Sequence, residues 1–294
     1  MSKLEIADLA GGRVDSFKME LSDDGSIVLP PAGTELNIYL GYREVRPVHR
    51  GLFAVDQVAH SGPPSTLTYS ATGVDFIASA RAPKERTHEP QTLATLLDKL
   101  ASPHGYTPVV RPSSLGRLEL PLIDQAGQSD LALADELART YGGIFKPVDG
   151  VWAILGYGVL GEPALTLRPQ DVSTWRAHFM PRREFQAVTA HYHDYGAAER
   201  TPVTAGEGEP VKVLNRTYET ADVALAHAKS TLARGRRKAR SLTLTLPGRP
   251  DLATHTVLGL DGFRERVDNR WLITQVTHTL DKRGYRCRVE AEGL

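Results

Sequence analysis

Two histidines and an aspartate in one short alternating stretch are the residues best suited to metal chemistry. His191 and His193 lie two positions apart, so in a β-strand their imidazoles share one face. Together with the adjacent carboxylate of Asp194 they could ligate a metal ion, which makes a metal-dependent hydrolase one hypothesis. A third ligand cannot be identified from the sequence. We favour the alternative interpretation, a strand with two surface histidines.

Asp124 and Asp130 are a second candidate, because two nearby carboxylates can act as an acid and a base. No further acid–base group and no Ser, His and Asp set has a recognisable local context around them. We therefore predict that Asp124 and Gln125 close a turn between a strand and a helix by bonding to backbone groups. Ser129 is predicted to cap that helix, with Asp130 in its first turn.

Two further groups of residues have both a functional and a structural interpretation. His60 and His278 occupy equivalent places in two similar stretches, and we favour a shared structural place over a ligand role. Residues 234–240, which include Arg236 and Arg237, form a basic cluster that could contact nucleic acid phosphates. The cluster lacks interleaved aromatic residues for base stacking, so we favour a solvated helix end or a salt-bridged subunit contact.

Bulk composition limits the possible partners. The 294 residues contain 35 basic and 35 acidic side chains, so no overall charge favours nucleic acid or an anionic membrane. A single cysteine, Cys287, excludes an internal disulfide. The N-terminus lacks the apolar core of a signal peptide, and no apolar stretch is long enough to span a bilayer. We expect a soluble protein that is made in the cytoplasm and needs no cofactor and no membrane.

The chain contains a weak internal repeat, called the echo below, whose two copies are 218 residues apart. Residues 57–61 (QVAHS) match residues 275–279 (QVTHT), and Phe53 falls on Trp271. Upstream, Leu40-Gly41 falls on Leu258-Gly259 without a gap. Each copy has the pattern of a strand, a glycine turn, a strand, a turn and a strand.

The hydrophobic pattern inside each copy is typical of an antiparallel sheet with one solvent-exposed face. In the first copy the apolar parity shifts between Val55 and Val58, which predicts a β-bulge. We interpret the two copies as two similar antiparallel β-barrels.

Helical periodicity is confined to the region between the copies and to one later stretch. We predict helices at residues 92–100, after Ser129 and at about 220–239, and strands at 14–21, 118–122 and 185–195. Asp149-Gly150 predicts a hairpin, and residues 201–211 predict a mobile loop. The expected fold is mainly β with an α+β insertion. The domains would be a first barrel at 1–82, a helix-and-hairpin module at 83–160 and a second barrel at 161–294, with a helix inserted in the last.

Several segments together resemble the late control protein D family of contractile-tailed phages. The segments are residues 30–33, 40–42, 51–53, 58–64, 120–125, 129–131, 137–142 and 244–252. They follow the order of the family and cover nearly the whole chain.

The resemblance implies a tail or baseplate hub, similar to the hub part of type VI secretion spike proteins. Such hubs are homotrimers in which each chain contributes two tube-like β-barrels, so that six similar units join a hexameric tail tube to a trimeric central spike. It implies other baseplate proteins and a tape-measure protein as further partners, no sequence-specific nucleic acid and no catalytic residues. The particle would be a contractile phage tail or a tailocin-like injection particle.

We predict structural or interface roles for the candidate residues. These residues are Phe53, His60, Asp124, Gln125, Ser129, Asp130, Arg236, Arg237, Trp271 and His278. Family members carry further residues ahead of the position of Met1. The first barrel is therefore expected to lack an opening strand or to borrow one from a neighbour.

Overall fold

The computed structural model describes most of the chain. The described residues are 2–11, 13–27, 30–31, 33–44, 46–73, 78–148, 150–157, 160–180, 185–194 and 196–294. Asp149 of the predicted hairpin turn, Ala32 of the Pro-rich corner and Tyr195 at the end of a predicted strand lie outside them.

The described elements are mostly strands, which confirms the predicted, mainly β fold class. The strands before residue 130 are β1 Lys3–Leu9, β2 Ser16–Ser22, β3 Glu35–Leu40, β4 Val48–Ser61, β5 Thr66–Gly73, β6 Lys84–His88, β7 Gln91–Thr92, β8 Thr107–Arg111, β9 Glu119–Leu120 and β10 Ile123–Gln128. The later strands are β11 Gly143–Val148, β12 Val151–Gly156, β13 Leu165–Leu167, β14 Thr174–Phe179, β15 Ala187–Asp194, β16 Glu199–Gly206, β17 Val211–Tyr218, β18 Arg240–Pro247, β19 Val257–Leu260, β20 Arg270–Asp281 and β21 Gly284–Gly293. The α-helices are α1 Ala78–Arg81, α2 Leu93–Ala101, α3 Ser113–Gly116, α4 Asp130–Thr140 and α5 Ala221–Lys238.

Contacts divide the chain into two compact units. Unit 1 contains residues 1–80, 162–176 and 242–291, and unit 2 contains residues 81–161, 177–241 and 292–294. The segment predicted as a second barrel, 161–294, is thus shared between the units, and α5 belongs to unit 2. The division into three domains stays a prediction.

The main sheet of unit 1 contains both copies of the echo. Its strand order is β14-β18-β21-β20-β1-β2-β5-β4-β3, and β19 also pairs with β20. Two strands, β1 and β2, lie between the copies, and β1 pairs antiparallel with β20 from Lys3↔Asp281 to Leu9↔Gln275. On its other edge β1 pairs with β2. Strand β1 is not among the predicted strands, although Leu4 and Ile6 alternate with polar residues.

The structure confirms the bulge in the first copy and corrects the ungapped match. The register of β4 against β5 shifts between Val55 and Gln57. Leu36 pairs with Phe53, whereas Leu258 pairs with Trp271, so these hairpins span 17 and 13 positions. The first hairpin is therefore four residues longer, and Leu40 does not occupy the place of Leu258.

The aligned aromatic residues of the two copies are both buried in unit 1. The ring of Phe53 packs against that of Phe17 with centroids 5.7 Å apart. The indole of Trp271 is fully buried, and its Nε1–H donates to the carbonyl of Val267 at 3.0 Å. Each copy therefore has a large aromatic side chain at the same position of its middle strand.

Unit 2 has its helices where the capping signals place them. Thr92, Ser129 and Thr220 are the N-caps of α2, α4 and α5, and each side-chain oxygen accepts a backbone N–H bond. Gly142 follows α4 with a φ of +76°, a left-handed conformation that ends the helix. The predicted hairpin of β11 and β12 is confirmed by their antiparallel pairing.

Two predictions about unit 2 are wrong. The predicted mobile loop at 201–211 contains most of β16, which pairs along its whole length with β15. The predicted strand at 118–122 is only the two-residue β9, and Asp124 and Gln125 lie in β10 rather than in a turn. In both places a partner strand decides the conformation more strongly than local composition does.

One three-stranded sheet of unit 2, β16-β15-β17, packs one face against α5. Val188 and Ala190 of β15 meet Ala224 and Ala228 of α5 in a buried cluster. Among the described residues, no helix is both long and apolar enough to cross a membrane.

We predict that Ile6→Ala lowers the free energy of unfolding of unit 1 by about 3 kcal/mol, because it leaves a cavity in a strand between the two copies. Ile6 is 1% exposed. Chemical denaturation followed by circular dichroism measures the change. Glu5→Ala, on the other face of β1, is the control and is expected to change little. A loss below about 1 kcal/mol for Ile6→Ala would contradict this account of β1.

Candidate functional site

A fully buried carboxylate, that of Asp130, is the centre of the polar cluster in unit 2. Lys84 Nζ donates to it at 2.6 Å, and Gln125 Nε2 donates at 2.9 Å. His104 Nε2 lies 2.8 Å from Oδ2, and the Arg86 guanidinium forms an ion pair with Oδ1. Both carboxylate oxygens are thus occupied by protein donors.

Three parts of the chain bring these donors together. Lys84 and Arg86 lie on β6 and Gln125 on β10, two strands that pair with Gln125 opposite Arg86. His104 lies in the short 3-10 helix that follows α2. Asp130 is the first residue of α4, which places its carboxylate near the unpaired N–H groups of the helix. The cluster therefore fixes β6, β10 and the start of α4 relative to one another.

The electrostatics of the cluster exclude general-base chemistry at neutral pH. Burial alone would raise the pKa of Asp130. The hydrogen bonds from Gln125, Lys84 and His104 and the charge of Arg86 outweigh it and lower the pKa to about 2. A carboxylate that stays ionised and fully bonded does not accept a proton near pH 7. The cluster is suited to holding structure rather than to catalysis.

Gln125 and Asp124, the predicted Asp-Gln pair, have different surroundings. Gln125 is completely buried, and its Oε1 lies 3.0 Å from His88 Nε2 and accepts from Arg86. Asp124 is exposed and accepts a bond from the Thr87 hydroxyl at 3.3 Å. The predicted backbone bonding is found in one place, where Gln125 Nε2 donates to the carbonyl of Gln128 at 2.9 Å. Most of the other bonds of the pair go to side chains on β6.

A second ion pair, which is partly buried, lies in unit 1 at β1. Arg50 Nη2 donates to Asp8 Oδ2 at 3.2 Å, and Arg50 Nη1 donates to the carbonyl of Pro250 at 3.1 Å. Asp8 also accepts from the N–H and the hydroxyl of Thr254, at 3.0 and 2.6 Å. This contact joins β1, β4 and the loop before β19. Sequence reasoning missed it, because residues 42 and 246 positions apart carry no local signal of contact.

The two aligned histidines have different surroundings, so the predicted shared structural place holds for their strand position only. His60 is exposed, and its Nε2 lies 2.8 Å from Ser65 Oγ. His278 is completely buried, and its Nδ1 lies 2.8 Å from the Tyr285 hydroxyl and 3.3 Å from Cys287 Sγ. Burial and the nearby Arg50 charge lower the pKa of His278 to about 4, and burial raises the pKa of the Cys287 thiol.

The geometry at β15 does not favour the metal hypothesis. His191 Nδ1 lies 3.2 Å from a guanidinium nitrogen of Arg200, and Asp194 accepts the N–H groups of Gly196 and Ala197 in a turn. His193 is exposed. Among the described residues, no group of three His, Cys, Asp or Glu side chains is placed to hold a metal ion.

The basic cluster at the end of α5 separates into two kinds of residue. Arg236 is exposed to solvent, as the favoured interpretation expects. The Arg237 guanidinium instead stacks over the ring of Tyr157, 3.5 Å from its centroid. Contact with nucleic acid through this cluster stays an untested hypothesis.

The similarity to known proteins extends over nearly the whole chain. No family model matches. The chain is 26% identical to the "Probable baseplate hub protein" of Escherichia phage P2, over 99% of this chain and 88% of the relative. The 43 kDa tail protein of prophage MuSo2 from Shewanella oneidensis has a similar structure, with a TM-score of 0.74, 18% identity and coverage of 99% and 93%.

The E. coli c3393 protein, described as a type VI secretion component that is structurally similar to T4 tail proteins gp27 and gp5, has a TM-score of 0.62 at 15% identity, with coverage of 100% and 73%. The fold of this chain is thus similar to the folds of a phage tail protein and of a type VI secretion component. The predicted resemblance to phage baseplate hub proteins is confirmed. The relatives are structural proteins and not enzymes, in agreement with the prediction for this chain.

We predict that Asp130→Asn lowers the free energy of unfolding of unit 2 by about 3 kcal/mol, because it leaves Lys84 and Arg86 without their buried counter-charge. Chemical denaturation measures the difference. Glu85→Gln, an exposed change on β6, serves as the control. Equal stability of the two variants would show that the cluster does not hold unit 2 together.

Acid is expected to destabilise unit 1 through His278. Its folded pKa of about 4 lies below the unfolded value of 6.5, so the unfolded chain binds the proton first. Stability therefore falls as the pH drops from about 6.5 to 4, by up to about 1.4 kcal/mol per pH unit. Denaturation at several pH values should show a shallower fall for His278→Gln than for wild type. His60→Gln, at the aligned exposed position, should keep the wild-type slope; equal slopes in all three proteins would refute the assignment.

Proposed function

We propose that this chain is a structural baseplate hub protein of a phage tail or of a phage-derived, tailocin-like injection particle. In this proposal it forms a homotrimer with pseudo-sixfold symmetry that joins a hexameric tail tube to a trimeric central spike. The observation that carries the proposal is the presence of two similar hairpin units in one continuous sheet of one chain. Three such chains supply six similar units around one axis, so one ring matches a sixfold partner on one side and a threefold partner on the other.

The edges of the main sheet support assembly from several copies. In the described part of the chain, β3 and β14 are the end strands of the sheet order. Tyr39 on β3 is 58% exposed and Trp175 on β14 is 41% exposed. Edge strands with exposed apolar side chains pair readily with another chain. A head-to-tail contact between the two edges of neighbouring copies would close a ring.

The proposal includes further partners, namely other baseplate proteins and the tape-measure protein as well as the tube and the spike. The name of the P2 relative, a probable baseplate hub protein, supports a place among other baseplate proteins. The protein would be made in the bacterial cytoplasm and then become part of the particle. The charge balance of 35 basic and 35 acidic residues suits a ring through which a charged polymer passes without being held.

Native mass spectrometry tests the proposed oligomer directly. A species of three times the 32.1 kDa chain is expected, alone or with a spike protein. Tyr39→Glu, which places a charge on the β3 edge, should lower the trimer fraction about tenfold or more without unfolding the chain. Lys18→Gln, on the interior strand β2, should leave it unchanged. A chain that stays monomeric with tube and spike proteins present would rule out the trimer.

A further inference from the structure

An open groove in unit 2 has no role in the folding contacts described above. It has a volume of about 580 Å³, within the roughly 300–1,000 Å³ typical of binding sites. One wall is a face of α5, and the other consists of α3 and the residues beside it. The face of α5 that packs on the β15 sheet is a different one, which carries Ala224, Ala228 and Leu232. The helix therefore has one face in a core and a second face in the groove.

The lining of the groove is mostly apolar, and its charged side chains are positive. Its apolar lining includes Pro112, Leu115, Leu118, Ala226 and Ala233. Lys229 and Arg237 are the charged lining residues, and no carboxylate is among the lining residues that the structure describes. The phenol of Tyr157 is neutral at pH 7, because the ordinary pKa of tyrosine is about 10 and burial raises it further. An occupant with an aliphatic body and negative charges would complement this surface.

Arg237 has hydrogen-bonding capacity to spare. The central carbon of its guanidinium lies over the ring of Tyr157, 3.5 Å from the ring centroid. Within the described residues, its buried Nε has no hydrogen-bond partner. Arg234 and Glu292 are the other charged groups that act on Tyr157, and neither lines the groove. A carboxylate bound to Arg237 would pair a buried donor that the fold leaves unpaired.

The spacing of the two cations fits an extended chain. Lys229 and Arg237 are eight residues apart on α5, a distance of about 12 Å along the helix axis. Four residues of an extended peptide cover about 13 Å, and residues i, i+2 and i+4 share one face. Acidic side chains at i and i+4 would then meet the two cations, with an aliphatic side chain at i+2 over Ala233 and Leu115.

We propose that this groove binds an extended segment of a partner protein in the particle, with the pattern acidic-x-aliphatic-x-acidic. The inference rests on the proposed hub function, since it takes the partner to be another component of the same particle. It adds a second attachment point, on unit 2, to the contacts that the ring itself makes. The groove is open to solvent, which suits a segment of a larger protein.

A peptide array tests the proposal on the full chain. Peptides of 15 residues that tile the other structural proteins of the particle are probed with wild type, with the double variant Lys229→Gln/Arg237→Gln, and with the control Arg236→Gln/Lys238→Gln. The control removes the same charge from exposed positions of α5 outside the groove. We expect bound peptides with the acidic-x-aliphatic-x-acidic pattern, and an affinity that falls about tenfold or more in the groove variant only.

A second variant guards against loss of the fold. Ala233 lies in the groove lining and is exposed, so Ala233→Glu adds an opposing charge without disturbing the core and should abolish binding of the same peptides. The inference is overturned if no peptide is lost by the groove variants and kept by the control. It is also overturned if decanoate or a second copy of the chain fills the groove instead. Native mass measurement of the same samples separates the outcomes, because a trimer without a groove peptide refutes this inference and leaves the hub function intact.

Discussion

The pairing of β1 with β20 is the contact on which unit 1 depends. It joins residues 3–9 to residues 275–281 in seven antiparallel pairs, and β1 pairs with β2 on its other side. In the described sheet order, β1 and β2 are the strands that connect the first copy of the echo to the second. Pairing residues so far apart in the chain closes a very long loop, which costs conformational entropy. The β1–β20 pairing therefore stabilises unit 1 only once both strands are formed. The Asp8–Arg50 ion pair adds a side-chain contact at the same junction.

The buried carboxylate of Asp130 serves unit 2 in a different way. Burying a charge costs free energy unless partners satisfy it, and here Lys84, Arg86, His104 and Gln125 all bond to one group. Such a network tolerates few arrangements of the elements that carry it. A motif that looks like acid–base chemistry in the sequence is therefore explained by the need to hold β6, β10 and α4 in one geometry.

Sequence patterns predicted the local features well and the long-range contacts poorly. Helical periodicity and the Ser129 cap marked the helices α2, α4 and α5, since both signals depend on neighbouring residues alone. The bulge after Val55 was visible because a parity shift is also local. The strand β16 was predicted as a loop, because its Thr, Pro and Gly content is typical of loops. Its extended conformation is decided by its pairing with β15. The Asp8–Arg50 contact and the burial of His278 depend on tertiary packing, which no window of sequence contains.

The central claim is that two similar hairpins in one chain allow three chains to form a ring with pseudo-sixfold symmetry. A reconstruction of the assembled tail tip that traces the chains tests it most directly. The account predicts six hairpin units around one axis, with the Phe53 and Trp271 units alternating and the two edges of the main sheet meeting between neighbours. A map in which these two units lie at unrelated radii, or in which one copy of the chain sits alone on the axis, would contradict it.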